Sequence, residues 1–253
     1  SVNMRKINIV VPMAGMGSRF YNAGYKLPKP FIDVKDKMMI EKVLDNLQYD
    51  NASYVLIAQK EHLEFYPEKI KKLQENYSVK IIGIEHITEG AACTVLAARE
   101  FINNDVPVLI ANSDQIVDIN ISDFIGHCFE NHLDGSIMTF KNDDPKWSFV
   151  KINEDNLVVE AREKIPISNN ATVGIYFFSR GSDFIDGTID LIANNDKTNN
   201  EYYVCPVYNY LIKKGKRIGI YEIASNKMHG TGTPEDLRAY LKENIYAKVT
   251  EVI

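Results

Sequence analysis

Short runs of apolar, β-branched residues alternate with longer amphipathic stretches through the first half of this chain, and few folds accommodate that rhythm. Ile7–Met13 reads as a buried strand, Met39–Leu47 as a helix and Tyr54–Ala58 as a second strand. Glu61–Tyr77 reads as a charged helix whose apolar face is Leu63, Tyr66, Ile70 and Leu73. Lys80–Ile84 and Val106–Ala111 continue the strands, with a helix at Ala91–Ile102 between them. The strand runs are continuously apolar, which requires a sheet covered on both faces. This βαβαβαβ order predicts an α/β fold: a doubly wound, mostly parallel sheet with helices on both faces.

The rhythm changes after about Asp134. Ser136–Lys141, Ser148–Asn153, Leu157–Ala161 and Ala171–Phe178 read as short strands separated by turn residues such as Asn142-Asp143-Asp144-Pro145 and Ser168-Asn169-Asn170. They predict a small antiparallel extension of the sheet. Ser182–Ala193 and Val207–Lys214 read as helices, Lys216–Glu222 as a late strand and Pro234–Ala247 as the last helix. With 253 residues, no repeat and no long linker, the chain reads as one domain over 1–253. Residues 1–134 form the half nearer the glycine-rich loop described below, and 135–253 the half that carries the extension.

Composition excludes several functional classes. Apolar residues make up 45% and charged residues 25%, so the chain can bury a core and is not a disordered segment. A net charge of −5 argues against a protein held to nucleic acid by phosphate contacts. No apolar run reaches the roughly 18 residues that span a bilayer. The opening, Ser1–Lys6, is mostly polar and lacks a signal-peptide apolar region. Cys93, Cys128 and Cys205 are too few and too scattered for a disulfide framework or a zinc site. The expectation is a cytoplasmic protein with reduced cysteines, no membrane segment and no nucleic-acid partner; a homodimer is only the default oligomer.

The chemistry is concentrated where the first strand ends, in Pro12-Met13-Ala14-Gly15-Met16-Gly17-Ser18-Arg19-Phe20. Glycines let consecutive backbone N–H groups converge on an anion, and a hydroxyl and a guanidinium follow at once. The dinucleotide fingerprint fails because Phe20 stands where its third glycine or alanine should be. The Walker loop fails because Gly17 is followed by Ser18-Arg19 instead of Lys-Ser/Thr. A plain tight turn explains the glycines but not Ser18 and Arg19. Further on, Lys26-Leu27-Pro28-Lys29-Pro30-Phe31 holds Lys29 between two prolines, which predicts a stiff, extended segment and a pre-organised phosphate anchor.

Ala14-Gly15-x-Gly17-Ser18-Arg19 followed by Lys29-Pro30 resembles the signature of the nucleoside-triphosphate transferases that make nucleotide sugars and related activated headgroups. The resemblance runs along nearly the whole chain. Thr88-Glu89-Gly90-Ala91-Ala92 is similar to their base-and-ribose segment, and Asn112-Ser113-Asp114-Gln115 to their metal-aspartate turn. Glu163-Lys164 and Thr172-Val173-Gly174-Ile175-Tyr176 are similar to their acceptor side. Gly232-Thr233-Pro234-Glu235-Asp236-Leu237 is similar to their closing helix start. The resemblance implies a Rossmann-like fold of the glycosyltransferase-A type. It implies transfer of a nucleotidyl group to a phosphorylated acceptor with release of pyrophosphate. Arg19 and Lys29 would be catalytic. Ala14, Gly15, Gly17, Ser18, Glu89, Gly90, Ala91 and Ser113 would hold the nucleotide, and Asp114 would ligate Mg²⁺. Lys164 would hold the acceptor phosphate, with Trp147, Glu201 and Tyr202 lining the acceptor pocket.

The opening motif and Gly24-Tyr25-x-Leu27-Pro28-Lys29-Pro30 are similar to single-domain cytidylyltransferases serving bacterial capsules. That similarity implies CTP as donor and a small phosphorylated acceptor, with an amide-linked phosphate such as phosphoglutamine as one candidate. Sugar-1-phosphate uridylyl-, thymidylyl- or cytidylyltransfer stays open, as does a non-catalytic nucleotide-binding regulator. One departure stands out: many sugar members carry a second metal aspartate at the position of Gly230. Mg²⁺ would then rest on Asp114 and phosphates, or borrow a neighbour such as His229, although imidazole suits Mg²⁺ poorly. Glu235 and Asp236 read as first-turn acids of a helix capped by Thr233, with Pro234 at its first position.

Overall fold

The structure, a computed structural model, describes residues 5–242. The elements run in this order: β1 (Ile7–Pro12), α1 (Ser18–Asn22), a 3-10 turn (Lys29–Phe31), β2 (Asp33–Val34), β3 (Lys37–Met38), α2 (Met39–Asn46), β4 (Ala52–Gln59), α3 (Lys60–Phe65), α4 (Pro67–Asn76) and β5 (Val79–Ile84). Then come α5 (Ala91–Val95), α6 (Arg99–Ile102), β6 (Val108–Ala111), β7 (Gln115–Val117), α7 (Ile121–Glu130), β8 (Gly135–Lys141), β9 (Ser148–Ile152), β10 (Val158–Glu163) and β11 (Asn170–Phe178). The described chain closes with α8 (Gly181–Ala193), α9 (Tyr208–Lys213), β12 (Ile218–Glu222), β13 (Met228–Gly230) and a helix, α10, over 234–242. Both the start Ser1–Met4 and the expected end of that last helix at Ala247 lie outside the described residues.

β5, β4, β1 and β6 lie side by side and parallel. β11 then runs antiparallel to β6, β8 antiparallel to β11, and β12 parallel to β8. The antiparallel β9–β10 pair branches from β11 at Ala171↔Phe149. This is the mostly parallel, doubly wound sheet with an antiparallel extension that the strand runs predict. Alternate residues of each strand enter opposite cores. Ile7, Ile9, Val11, Leu56 and Leu109 pack on one face against α2, α4 and α7. Val10, Val55, Ile57, Val108 and Ile110 pack on the other against α5, α6, α8 and α9. A third cluster, Phe20, Ile32, Val34, Met39, Ile116 and Leu237, ties α1 and α10 to β7 beneath the cleft described next.

Local departures from the sequence reading have physical causes. The expected helix Glu61–Tyr77 is two helices, because Pro67 drives Tyr66 out of helical dihedrals, to φ −126° and ψ 54°. The expected helix Ala91–Ile102 is interrupted by a 3-10 turn at Leu96–Ala98. Helix α7 is an addition to the sequence reading. Its signals are the Asn120 cap, whose Oδ1 accepts from Ser122 N at 2.9 Å, and buried Ile121, Phe124, Ile125 and Cys128. Lys29 opens a 3-10 turn in place of an extended segment. Phe31 N donates to Pro28 O at 2.9 Å and Ile32 N to Lys29 O at 3.2 Å, while Phe31 is drawn into the core. The cysteines are free thiols, with Cys128 and Cys205 buried.

Candidate active site

A cleft of about 830 Å³ opens at the carboxyl ends of β1 and β6. Open α/β sheets bind ligands at such strand ends. Its walls come from the glycine loop, the loop around Lys29, Thr88–Ala91, Asn112–Gln115, Trp147, Glu163-Lys164, the 199–203 segment and the 230–236 segment.

The glycine loop leaves β1 with Met13 N donating to Ile57 O at 2.8 Å. Gln59 Nε2 spans the loop, donating to Ala14 O at 3.2 Å and Gly15 O at 3.0 Å. Those bonds occupy the loop's carbonyls and leave its N–H groups for a ligand. Gly17 sits at φ 60°, a left-handed conformation that suits glycine, and α1 starts at the next residue. Arg19 is exposed and lines the cleft.

Lys29 and Asp114 meet across the cleft. Lys29 Nζ is 3.0 Å from Asp114 Oδ2, and each side chain is 22% exposed. Asp114 follows β6 and is held from behind: Thr231 N and Thr231 Oγ1 both donate to its carbonyl at 2.8 Å. The β13–β7 pairing sets that contact, with Gly230 opposite Gln115. A Cβ on Gly232 would lie 2.9 Å from Asp114 Oδ2, so only glycine leaves the carboxylate this open flank. His229 pairs instead with Asp118, its Nε2 lying 2.8 Å from Asp118 Oδ2, and is not among the residues that line the cleft. Among the described residues, no group of three or more His, Cys, Asp or Glu side chains could hold a metal.

The base-and-ribose segment and the acceptor wall are locked together. Gly90 lies at φ 118°, and a Cβ there would meet Tyr202 O at 2.6 Å and Tyr202 N at 2.7 Å. Tyr202 N donates to Glu89 O at 2.6 Å, and Ala92 N to Tyr202 O at 3.0 Å. Glu89 is paired with Lys197 at 3.0 Å. Asn199 and Asn200 occupy left-handed conformations at φ 50° and 62°, forming the two-residue turn of a tight bridge between Thr198 and Glu201. That turn carries Glu201 and Tyr203 to the cleft, and Tyr203 Oη donates to Glu201 Oε2 at 2.8 Å. Tyr202 goes the other way. It is buried in the core, with its hydroxyl donating to Asn195 Oδ1 at 3.2 Å, because neighbouring residues of an extended segment face opposite sides. The cleft-lining tyrosine of this pair is therefore Tyr203, a correction to the expectation for Tyr202.

Trp147 and Lys164 form one unit of the acceptor wall. Lys164 N donates to Trp147 O at 3.0 Å, and Lys164 holds a left-handed φ of 60°. That conformation costs a residue with a Cβ about 1 kcal/mol, and such strain clusters at functional sites. Lys164 Nζ lies 5.3 Å from the Tyr203 ring centroid. The missing side chain of Gly230 gives Trp147 its room, since a Cβ there would be 3.3 Å from Trp147 Cη2. Behind them is a polar floor. Tyr176 Oη is 3.0 Å from Ser148 Oγ and 2.8 Å from Thr172 Oγ1, and Ser148 and Thr172 also bond each other. Glu163 lies opposite Ser148 in the β9–β10 ladder and is only 9% exposed. Burial pushes its carboxyl up to about 7, Glu201 adds to the rise, and Lys164 opposes it.

The cleft thus brings together Ala14, Gly15, Gly17, Ser18, Arg19, Lys29, Glu89, Gly90, Ala91, Ser113, Asp114, Trp147, Lys164 and Glu201. The sequence reading left Ser148 and Asp236 out of the site, and reached Thr172 and Tyr176 only as part of an acceptor-side stretch; these residues and Tyr203 all line the cleft. Asp236 also serves as a first-turn acid, its N donating to Thr233 Oγ1 at 3.1 Å. The only signal for the polar floor was the Thr172–Tyr176 stretch; β-strand hydroxyls otherwise look like ordinary core polarity.

The family model described as nucleotidyl transferase matches residues 9–237. Mannose-1-phosphate guanylyltransferase catalytic subunit beta from Dictyostelium discoideum is 25% identical over 179 residues, covering 67% of this chain and 49% of that protein. The chain spans about half the length of the curated relatives it matches. The nucleoside-diphosphate-sugar pyrophosphorylase from Vibrio cholerae RC9 superposes with a TM-score of 0.77 at 27% identity, covering 92% of this chain and 99% of that one. The inositol-1-phosphate CTP transferase from T. maritima shares the fold, with a TM-score of 0.71 at 16% identity over 95% of this chain and 98% of that one. With the model spanning most of its length and the glycine loop, Lys29 and Asp114 meeting in one cleft, the chain belongs to the nucleotidyl transferase family.

Proposed function

We propose that this chain transfers a nucleotidyl group from a nucleoside triphosphate to a small phosphorylated acceptor. The observation that carries the reading is the Lys29–Asp114 pair at 3.0 Å, in the same cleft as the glycine loop. An acceptor phosphate oxygen attacks the α-phosphorus in line, the bond from the α-phosphorus to the β-bridging oxygen breaks, and pyrophosphate leaves. Positioning and charge neutralisation dominate such a transfer. The loop N–H groups and Arg19 hold the leaving phosphates, and Lys29 stabilises charge at the α-phosphoryl group. Glu89, Gly90, Ala91 and Ser113 frame the base and ribose. Lys164 holds the acceptor phosphate against Trp147.

Mg²⁺ fits Asp114: a hard carboxylate oxygen faces the cleft beside the space that Gly232 leaves. When bound there, it would neutralise phosphate charge. With a single carboxylate in place, the remaining ligands would be phosphate oxygens and water. Lys29, paired with Asp114 here, would turn toward the phosphate oxygens when that ion is bound.

CTP is the favoured donor and phosphoglutamine the favoured acceptor, in capsule modification. Support comes from the likeness of the opening motif and the Lys29 segment to capsule-associated cytidylyltransferases, and from Gly230 standing where sugar enzymes carry a carboxylate. A second reading, sugar-1-phosphate nucleotidyltransfer, is favoured by the 25% identity to a mannose-1-phosphate guanylyltransferase. Pyrophosphate release from CTP, UTP, dTTP, ATP and GTP, each with Mg²⁺ and each paired with phosphoglutamine or a sugar-1-phosphate, separates them. Release only with CTP and phosphoglutamine supports the first reading. Release with a sugar-1-phosphate supports the second, and silence with every pair while nucleotide still binds would leave a nucleotide-binding regulator.

A further inference from the structure

The glycine loop is shaped by a side chain from another strand. β1 and β4 are parallel neighbours, with Pro12 level with Ile57. β4 therefore runs on where β1 ends, and Gln59 stands beside the loop. Pairing of Gln59 with Ile84 of β5 fixes its backbone. From there its Nε2 donates to Ala14 O at 3.2 Å and to Gly15 O at 3.0 Å. A side-chain amide has two N–H protons, one for each carbonyl. Gln59 is not among the residues that line the cleft, whereas Ala14, Gly15 and Met16 are.

Both carbonyls belong to planar trans peptides, so the direction of each fixes the next N–H the opposite way. Holding Ala14 O and Gly15 O on the Gln59 side turns Gly15 N–H and Met16 N–H away from it. Neither N–H has a partner among the described residues. Gly15 cannot hold this arrangement alone. It lies outside the left-handed region, and a Cβ there would meet nothing within 4 Å, so no neighbour packs its peptides in place. A glycine leaves them free to rotate, and rotation would point carbonyl oxygens at the phosphates. We propose that Gln59 is a positioning residue that locks these two peptides with their N–H groups toward the β- and γ-phosphates of the donor. The inference rests on the nucleotidyltransfer reading and extends to pyrophosphate, the leaving group held by the same loop.

Gln59→Met tests this, since it keeps the length of the side chain and removes both donors. Calorimetry with Mg²⁺ reads three probes on one preparation: inorganic pyrophosphate, the triphosphate that the wild type binds most tightly among CTP, UTP, dTTP, ATP and GTP, and the matching monophosphate. Kd for the triphosphate and for pyrophosphate should rise about 10-fold, the scale for hydrogen bonds to a charged group. The monophosphate, which lacks the β- and γ-phosphates, should change less than about twofold. An equal loss for all three probes makes Gln59 purely structural and overturns the inference. Unchanged triphosphate and pyrophosphate binding also overturns it and leaves nucleotidyltransfer standing. Gln59→Glu gives a second readout. At pH 8 its carboxylate faces two carbonyl oxygens and should weaken pyrophosphate binding further than Gln59→Met does. Toward pH 5 the carboxyl gains a proton and can donate to one carbonyl again. The ratio of its pyrophosphate Kd to that of the wild type at the same pH should then fall severalfold, and a ratio that stays flat overturns the inference. A wild type that binds neither a triphosphate nor pyrophosphate overturns it together with the reading beneath it.

Discussion

Lys29 shows how much one side chain is asked to do. The turn around it is held by Pro28, Pro30 and buried Phe31, so truncating the lysine leaves the fold in place. Lys29→Ala should lower kcat by roughly 10²–10³-fold, the scale for losing one group aimed at developing charge. Nucleotide affinity should change only about threefold, since the glycine loop and Arg19 remain. Steady-state pyrophosphate release with calorimetric nucleotide titration checks both numbers, and an unaffected kcat would remove Lys29 from the chemistry. Glu163 makes a pH-dependent prediction. Its carboxyl sits at about 7 in the folded chain against 4.5 as reference, so the folded state holds the proton more tightly. The folded state therefore loses stability as pH rises through that window, by up to about 3 kcal/mol once both states are ionised. Glu163→Gln should be more stable than the wild type at pH 8 and nearly equal to it at pH 4.5. Thermal melts at the two pH values read the difference directly. A stabilising change at a cleft residue would mean that stability was given up there for binding.

At the scale of elements, the site depends on pieces far apart in sequence. β13 pairs with β7, and through it Thr231 holds the Asp114 carbonyl with its N–H and its hydroxyl at 2.8 Å each. Thr231→Val keeps the shape and the backbone bond but loses the hydroxyl bond, costing about 1 kcal/mol of stability. Turnover should fall by roughly 10-fold, more than stability predicts, because Asp114 loses part of its positioning. A melting temperature and a kcat measured on the same preparation decide it; a drop in stability with kcat intact would make Thr231 a purely structural residue. Elements such as β1, β4, α2 and α8 were legible from sequence because the strands are continuous apolar runs of a sheet covered on both faces and the helices repeat their buried residues at a period near 3.6. Helix α7 was harder to read: Ile121, Phe124, Ile125 and Cys128 fall at helical spacing, but the run is short, carries Gly126 and opens on a single asparagine cap. The break at Pro67 was visible in principle, yet an apolar face at Leu63, Tyr66, Ile70 and Leu73 continues straight across it.

For the whole molecule, the cleft joins loops from both halves of the chain, so nucleotide binding should stiffen both. Saturation at about 100 times Kd stabilises a folded protein by about 2.7 kcal/mol. For a chain of this size that is roughly a 5–10 °C rise in Tm. With Mg²⁺ present, CTP should give the largest rise among the five triphosphates. Equal rises for all of them would indicate a site that reads phosphates and ribose but not the base. The interlock of Gly90 with Tyr202 is the physical link, since it ties the nucleotide segment to the acceptor turn.

By itself the sequence determined the layers of the fold and the nucleotide end of the site. Strand and helix periods are local, and so is the backbone freedom of Gly15 and Gly17, so both are written in neighbouring residues. Only the tertiary structure decided which way Tyr202 and Tyr203 face, that Lys29 meets Asp114, and that Ser148, Thr172, Tyr176 and Glu163 share one floor. Those facts depend on strand register and on how turns such as Asn199-Asn200 aim the segments that follow them. Register and aim come from the packing of distant elements, and in a strand a shift of one residue sends a side chain to the opposite face.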